Sequence, residues 1–359
     1  MKIGMLTFFY GANYGAQAHS FALCRTLTDM GHNCEFISYY PCSRRKLWFS
    51  NFIHTTFRKY LLIHPIRSFR NLRKMRLFKE FHSSYNVSKR VKSGSEIDAL
   101  GYDLIILGSD EIFTIGHNLH SNVNFGVGIE KTPKITYAPS AGQTDVRHVL
   151  SDDVVESLKS MISISARDKN TAELLQNNCG REIPVVLDPT LLYDFSRVAN
   201  PFQEDSYILL YAFRLLDEYK ERIREYATEK GLSVISVGRY RPWADKSYDL
   251  PSISQWLGTF KNASLVVTDS FHGTIFAIKD RREFINTGFV KNTSKVNCLL
   301  EDLSILRPGY DNNVSIEQHI ERFPIDYDEV HEVIEKKKTE SINYLIGALE
   351  ESLHDKTTV

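Results

Sequence analysis

Short apolar runs alternate along this chain with stretches whose apolar residues recur every three or four positions, a strand–helix alternation that repeats from end to end. Residues 2–9 read as a strand, 11–15 as a loop, 16–30 as a helix closed by Gly31, and 34–39 as a second strand. A strand, helix and strand in this order start a parallel sheet. Further buried strands are predicted at 102–107 (YDLIIL), 134–137, 162–166 (ISISA) and 185–187, with helices at 152–161 and 172–177. The periodicity breaks across 196–206 and then restarts. Strands are expected at 207–212, 233–237 and 265–268, and helices at 217–230, 253–261 and 273–279. A long Glu- and Lys-rich helix is expected over 328–350. The pattern predicts two α/β halves with a cleft between them.

Length agrees with that division, since 359 residues exceed what one small core organises. The expected domains are 1–198, then 199–325, then a terminal helix and tail at 326–359. The opening run has no small-residue cleavage site and is too short to span a bilayer, so it reads as a buried strand. Five cysteines, Cys24, Cys34, Cys42, Cys179 and Cys298, form no CxxC pair. A disulfide framework or zinc site is therefore not expected, and a cytoplasmic location is.

Charge changes the picture more than composition does. The chain is neutral overall, yet residues 44–92 hold fourteen Lys or Arg against the single acid Glu80. Aromatic and aliphatic side chains interleave those cations, from Trp48 and Phe49 to Phe78 and Phe81. The segment reads as a basic helical insertion in the first domain. A cationic amphipathic surface suits an anionic membrane face; solvated helices are the plainer reading. Nucleic acid is not expected, because the remaining sequence is net acidic.

In open α/β sheets, ligands bind beyond the carboxyl ends of strands, and four such places carry small or polar residues. Asn13 and Gly15 follow the first strand, where a glycine turn either cradles an anion or simply bends the chain. The spacing is not that of a dinucleotide fingerprint, so a nicotinamide cofactor is disfavoured. Ser109 and Asp110 follow the strand at 102–107 and read equally as a helix cap. Arg167 ends the ISISA run beside Asp188-Pro189-Thr190 at the next strand end. It is suited either to gripping a carboxylate or phosphate or to a salt bridge. His272, in Asp269-Ser270-Phe271-His272-Gly273-Thr274, sits where a buried strand becomes a helix and can exchange protons with a bound substrate.

Together these segments resemble the polysaccharide pyruvyl transferase family over most of residues 1–310. Asn13-Tyr14-Gly15-Ala16 is similar to its N-terminal motif, Gly108-Ser109-Asp110 to its GSD motif and Ser165-Ala166-Arg167 to its S-x-R motif. Asp188-Pro189-Thr190 resembles its DPT motif, and Ser270-Phe271-His272-Gly273 its S-x-H-G signature. Glu111 and Phe113 stand where members often carry Gln and Trp, and His19 replaces a common glutamine. The resemblance implies two Rossmann-like domains in a glycosyltransferase-B-like arrangement. It implies phosphoenolpyruvate as donor, no cofactor and no metal, and a pyruvate ketal as product, 4,6-linked on galactose by family habit. The acceptor is expected to be a lipid-linked oligosaccharide of capsule or exopolysaccharide synthesis, handled at the inner membrane face. His272 and Arg167 are the expected catalytic residues. Ser270, Gly273, Thr274, Gly15 and Asn13 are expected at the donor, and Ser109, Asp110, Glu111, Ser140, Asp188 and His19 at the acceptor or in positioning. The competing readings are a nucleotide-sugar glycosyltransferase and a non-catalytic glycan-binding protein of the same fold.

Overall fold

A computed structural model describes residues 1–9, 13–40, 73, 76–78, 85–116, 121–288 and 293–357. Most of the basic segment expected over 44–92 lies outside the described residues, as do Gly11 and Ala12. The chain divides into two compact units, Met1–Tyr193 together with Lys337–Val359, and Asp194–Lys336.

The first unit is built from β1 (Lys2–Leu6), α1 (Tyr14–Asp29), β2 (Asn33–Phe36), β3 (Asn86–Val87), α2 (Gly94–Asp98), β4 (Leu104–Leu107) and β5 (Lys134–Thr136). Helices α3 (Asp152–Lys159), α4 (Lys169–Cys179) and α5 (Pro189–Leu192) follow. Its strands are all parallel, in the order β3-β2-β1-β4-β5. Every residue of β4 is buried, as expected for a central parallel strand covered on both faces. Ile105, Leu107, Phe113, Phe125, Leu158 and Leu174 belong to one core, with the Phe113 and Phe125 rings stacked at 4.2 Å. Burying each such side chain is worth about 1.5–3 kcal/mol.

The second unit repeats the plan with β6 (Tyr207–Tyr211), α6 (Asp217–Lys230), β7 (Ser233–Val237), β8 (Lys246–Tyr248), α7 (Ile253–Gly258), β9 (Ala263–Thr268), α8 (Phe271–Lys279) and β10 (Phe284–Asn286). Helices α9 (Thr293–Asp302), α10 (Ile316–Arg322) and α11 (Tyr327–Thr357) complete the chain. The order β10-β9-β6-β7-β8, again all parallel, is that of the first sheet. In both sheets the strand order reverses beside the first strand of the unit, at β1/β4 and at β6/β9. These are the switch points at which such sheets open a crevice for ligands.

Two expected strands are corrected. The ISISA run forms no continuous ladder, only isolated bridges from Ile135 to Ser163 and from Ala166 to Val185, and 185–187 has only that second bridge. The Thr136 hydroxyl takes the place of the ladder there, accepting from the Ser165 amide at 2.7 Å and donating to the Ser165 carbonyl at 2.8 Å. The Leu187 amide donates instead to Ser341 Oγ of α11. Helix starts are also displaced: α1 begins at Tyr14 and α8 at Phe271, because Asn13 and Ser270 cap them. Strands β3, β8 and β10 carry too few residues to show a periodicity. Cys24, Cys34 and Cys179 are buried thiols outside any disulfide. Among the described residues no helix is long and apolar enough to cross a membrane.

Candidate active site

In the second unit, β9 ends at Thr268 and the chain turns into α8 within two residues. Ser270 Oγ accepts from the Gly273 amide at 2.9 Å, and the Thr268 hydroxyl accepts from the Ser270 amide at 3.1 Å. The turn is tight enough to require glycine. A Cβ on Gly273 would stand 2.2 Å from Thr268 Oγ1 and 2.9 Å from the Tyr211 ring. Asp269 points the other way, accepting from the Phe213 and Arg214 amides beyond β6 and so tying the two strand ends together. Thr274 donates to the Ser270 carbonyl and accepts from Asn286 Nδ2, which places it inside the turn's own scaffold. His272 is left in the first turn of the helix, 8% exposed, with its ring edge-on to Phe271 at 5.3 Å.

In the first unit five of the expected residues converge at the β1/β4 switch point. Gly108 follows β4 with φ +127°, in a position where a Cβ would lie 2.1 Å from the Tyr137 carbonyl oxygen. Asp110 follows in the left-handed region at φ 69°, which Asp tolerates better than most residues. Its carbonyl is held there by the Ser140 amide at 2.7 Å. His19, reaching up from α1, shares a 2.7 Å hydrogen bond between Nδ1 and Ser109 Oγ, and its Nε2 lies 3.4 Å from Asp110 Oδ2. Arg167 Nη1 donates to Asp110 Oδ1 at 3.0 Å and to Asp188 Oδ2 at 3.1 Å. Asp188 also caps α5, accepting from the Thr190 amide and hydroxyl. Burial opposes the charge on Arg167, but the Asp110 and Asp188 carboxylates outweigh it and hold the guanidinium above its ordinary pKa. The side chains of His19, Arg167 and Asp188 are at most 4% exposed, whereas that of Asp110 is 19% exposed. Asp110 is thus the member of this network that meets solvent.

The remaining expected residues have structural positions. Asn13 caps α1, accepting from the Gly15 amide at 3.0 Å. The Gly15 and Gly273 amides, expected to face an anion, are spent on these caps. Ser140 Oγ accepts from the Gly142 amide, and Glu111 lies against the same glycine, whose added Cβ would stand 2.8 Å from its carboxylate. Both brace the loop that carries Asp110.

The sequence pattern of polysaccharide pyruvyl transferases matches residues 13–286, which include both constellations. The chain belongs to the polysaccharide pyruvyl transferase family. No curated protein sequence matches it. Solved structures share its fold at low identity. A UDP-N-acetylglucosamine 2-epimerase structure from Listeria monocytogenes is 10% identical over 99% of this chain and 97% of its own, with a TM-score of 0.57. The S. aureus MnaA–UDP structure is 11% identical over 98% of each chain, with a TM-score of 0.56. Arabidopsis thaliana UGT89C1 with UDP-L-rhamnose is 9% identical over 98% of this chain and 99% of its own, with a TM-score of 0.51. This pyruvyl transferase family chain is therefore α/β with two Rossmann-like domains, the fold of glycosyltransferase-B and epimerase structures. Sequence reasoning passed over the loop after β7, although Gly238-Arg239-Tyr240-Arg241 places two arginines at a strand's carboxyl end, the signal used at the other four places.

Proposed function

We propose that this enzyme transfers the pyruvyl group of phosphoenolpyruvate to two hydroxyls of one sugar, forming a cyclic ketal on a lipid-linked intermediate of capsular or exopolysaccharide synthesis. The observation that carries the reading is His272, held by the Ser270 cap in the first turn of α8 at the second unit's switch point. In this reading the donor binds there. Protonated His272 delivers its proton to the methylene carbon, C3, and makes it a methyl group. The sugar hydroxyl forms a bond to C2 and gives up its proton to the imidazole. The C2–O bond to phosphate breaks, a second hydroxyl closes the ring at C2, and its proton leaves with phosphate. No cofactor is needed for this balance.

Asp110 is proposed as a sugar-positioning carboxylate of the first unit, since it is the exposed tip of a network otherwise out of water. Arg167 contributes by fixing that carboxylate. A 4,6-ketal on galactose is the proposed product.

The test is phosphate release from phosphoenolpyruvate with a panel of lipid-linked or model glycosides, and mass spectrometry of the acceptor. A gain of pyruvate less water is expected. His272→Ala should lower turnover about 10²- to 10⁴-fold, the usual contribution of a general acid–base group, with the fold retained. Near-normal turnover in that variant would sink the assignment. Turnover of a nucleotide sugar instead of phosphoenolpyruvate would favour a glycosyltransferase, a reading to which the fold of the UDP-bound neighbours lends some support. The basic segment is proposed to dock the enzyme on anionic membrane. Charge reversal of Arg70, Arg73, Lys74 and Arg76 should abolish liposome binding, and indifference to anionic lipid would count against docking.

A further inference from the structure

The turn after β7 gathers cations at the same sheet edge as His272. Gly238 turns the chain at φ 77° and its amide donates to the Tyr248 carbonyl of β8 at 2.9 Å. Ser236 Oγ donates to the Arg239 carbonyl at 2.7 Å. Ser247 Oγ both accepts from the Arg241 amide at 3.2 Å and donates to the Arg241 carbonyl at 3.1 Å. The backbone of this turn is therefore fixed before any ligand arrives. The Arg241 side chain, half-buried, crosses from β7 to the end of β6, where Nη2 donates to the Ala212 carbonyl at 2.9 Å. Its Nε is buried and has no partner among the described residues. Arg239 stands exposed near it after β7, and Arg214 stands exposed in the turn after β6.

The acid whose field reaches Arg241 is Asp269, and that carboxylate is already bonded to two backbone amides. Burial first, and then Arg239, press the Arg241 guanidinium below its ordinary pKa against the pull of Asp269. A guanidinium held half out of water, next to another cation and without a carboxylate bonded to it, gains most from an anion that brings its own charge. Phe213 and Tyr240 present exposed rings within the same two turns, 41% and 57% accessible. Phe213 and Arg214 follow β6, which pairs with β9, and Arg239, Tyr240 and Arg241 follow β7, on the other side of β6; the end of β9 itself leads to His272.

We propose that Arg241, assisted by Arg239 and Arg214, is the donor-binding cation of the second unit and holds the carboxylate and phosphate of phosphoenolpyruvate at the end of β6, β7 and β9. This rests on the donor reading above and supplies the positive charge that reading lacks, since Arg167 is spent on two carboxylates. The planar fork of Arg241 suits a carboxylate or phosphate bound through two parallel hydrogen bonds, which a lysine does not reproduce.

The experiment titrates phosphoenolpyruvate, inorganic phosphate and UDP into the full-length protein by calorimetry, and measures KM and kcat for phosphate release. It compares wild type, Arg241→Gln, Arg241→Lys and the control Arg224→Gln on the exposed face of α6, each first checked for a native thermal transition. Arg241→Gln should weaken phosphoenolpyruvate binding about 10- to 100-fold, the loss expected for charge-assisted hydrogen bonds. Arg241→Lys should recover part of that loss, Arg224→Gln should match wild type, and the change should appear mainly in KM. Binding unchanged within twofold in Arg241→Gln overturns the proposal, as does a wild type that binds none of the three anions. The two readings fail separately. His272-dependent turnover with a normal KM in Arg241→Gln would remove the role of Arg241 alone. Arg241-dependent binding of UDP or phosphate without phosphoenolpyruvate turnover would leave an anion site and remove the pyruvyl donor.

Discussion

Gly273 shows how much one hydrogen atom in place of a methyl group decides at the β9–α8 turn. Gly273→Ala would drive a Cβ into Thr268 Oγ1 and the Tyr211 ring, so the Ser270 cap and the first turn of α8 must move together. A loss of about 1–3 kcal/mol is expected from such overpacking, read by denaturant unfolding, together with loss of phosphate release as His272 is displaced. Arg167 illustrates the opposite dependence, on charge rather than shape. Arg167→Met would leave the Asp110 and Asp188 carboxylates without the cation that joins them. Breaking a buried pair by removing one partner costs about 3–5 kcal/mol. The double variant Arg167→Met, Asp188→Asn should regain part of it in the same unfolding measurement. The residue types at both sites were legible in the sequence, because Ser, Asp, Arg and His gather where strands lead into helices, as caps and salt bridges or as ligand contacts. That Arg167 faces two carboxylates was not legible. Asp110 and Asp188 lie 57 and 21 positions from it along the chain.

At the level of the element, α10 carries a pH dependence of stability. His319 is 3% exposed, between the rings of Tyr310 and Phe323. Burial, and then the positive Arg307, lower its pKa from 6.5 to about 4. The folded state therefore favours the neutral imidazole. That contribution is fully present above pH 6.5 and is lost as pH falls from 6.5 towards 4, where the unfolded chain takes up a proton that the folded one resists. Urea titrations at stepped pH should show up to about 3 kcal/mol lost across that window, and His319→Gln should flatten the slope there. The helices that the periodicity marked were real, and α6 spans the residues expected of it. Their starts were set by caps, Asn13 for α1 and Ser270 for α8, which periodicity does not register. The ISISA run has the composition of a strand, yet Thr136 replaces the ladder with its hydroxyl, a contact between residues 29 apart.

Across the whole molecule, α11 belongs to both units. It begins in the second and, from Lys337 on, packs into the first. Leu345, Ala348 and Leu349 are buried there, Ser341 Oγ accepts from the Leu187 amide at 2.9 Å, and Tyr344 donates to the Thr136 carbonyl at 2.9 Å. Ser341→Ala should cost about 1–3 kcal/mol by leaving a buried amide unpaired. A chain ending at 336 should lose the first unit's cooperative thermal transition, seen by calorimetry. By itself the sequence determined the alternation of strands and helices, the division into two α/β halves and the strand ends that hold polar residues. Each of these follows from local periodicity and from what a buried strand excludes. Tertiary structure alone decided the matching strand orders, which put both constellations at switch points. It also decided the return of the last helix to the first unit, the neutralisation of Arg167 and the partial burial of Arg241. Each depends on which distant segments share a dry environment, and there the cost of an unpaired charge or amide is settled by neighbours that local sequence does not specify.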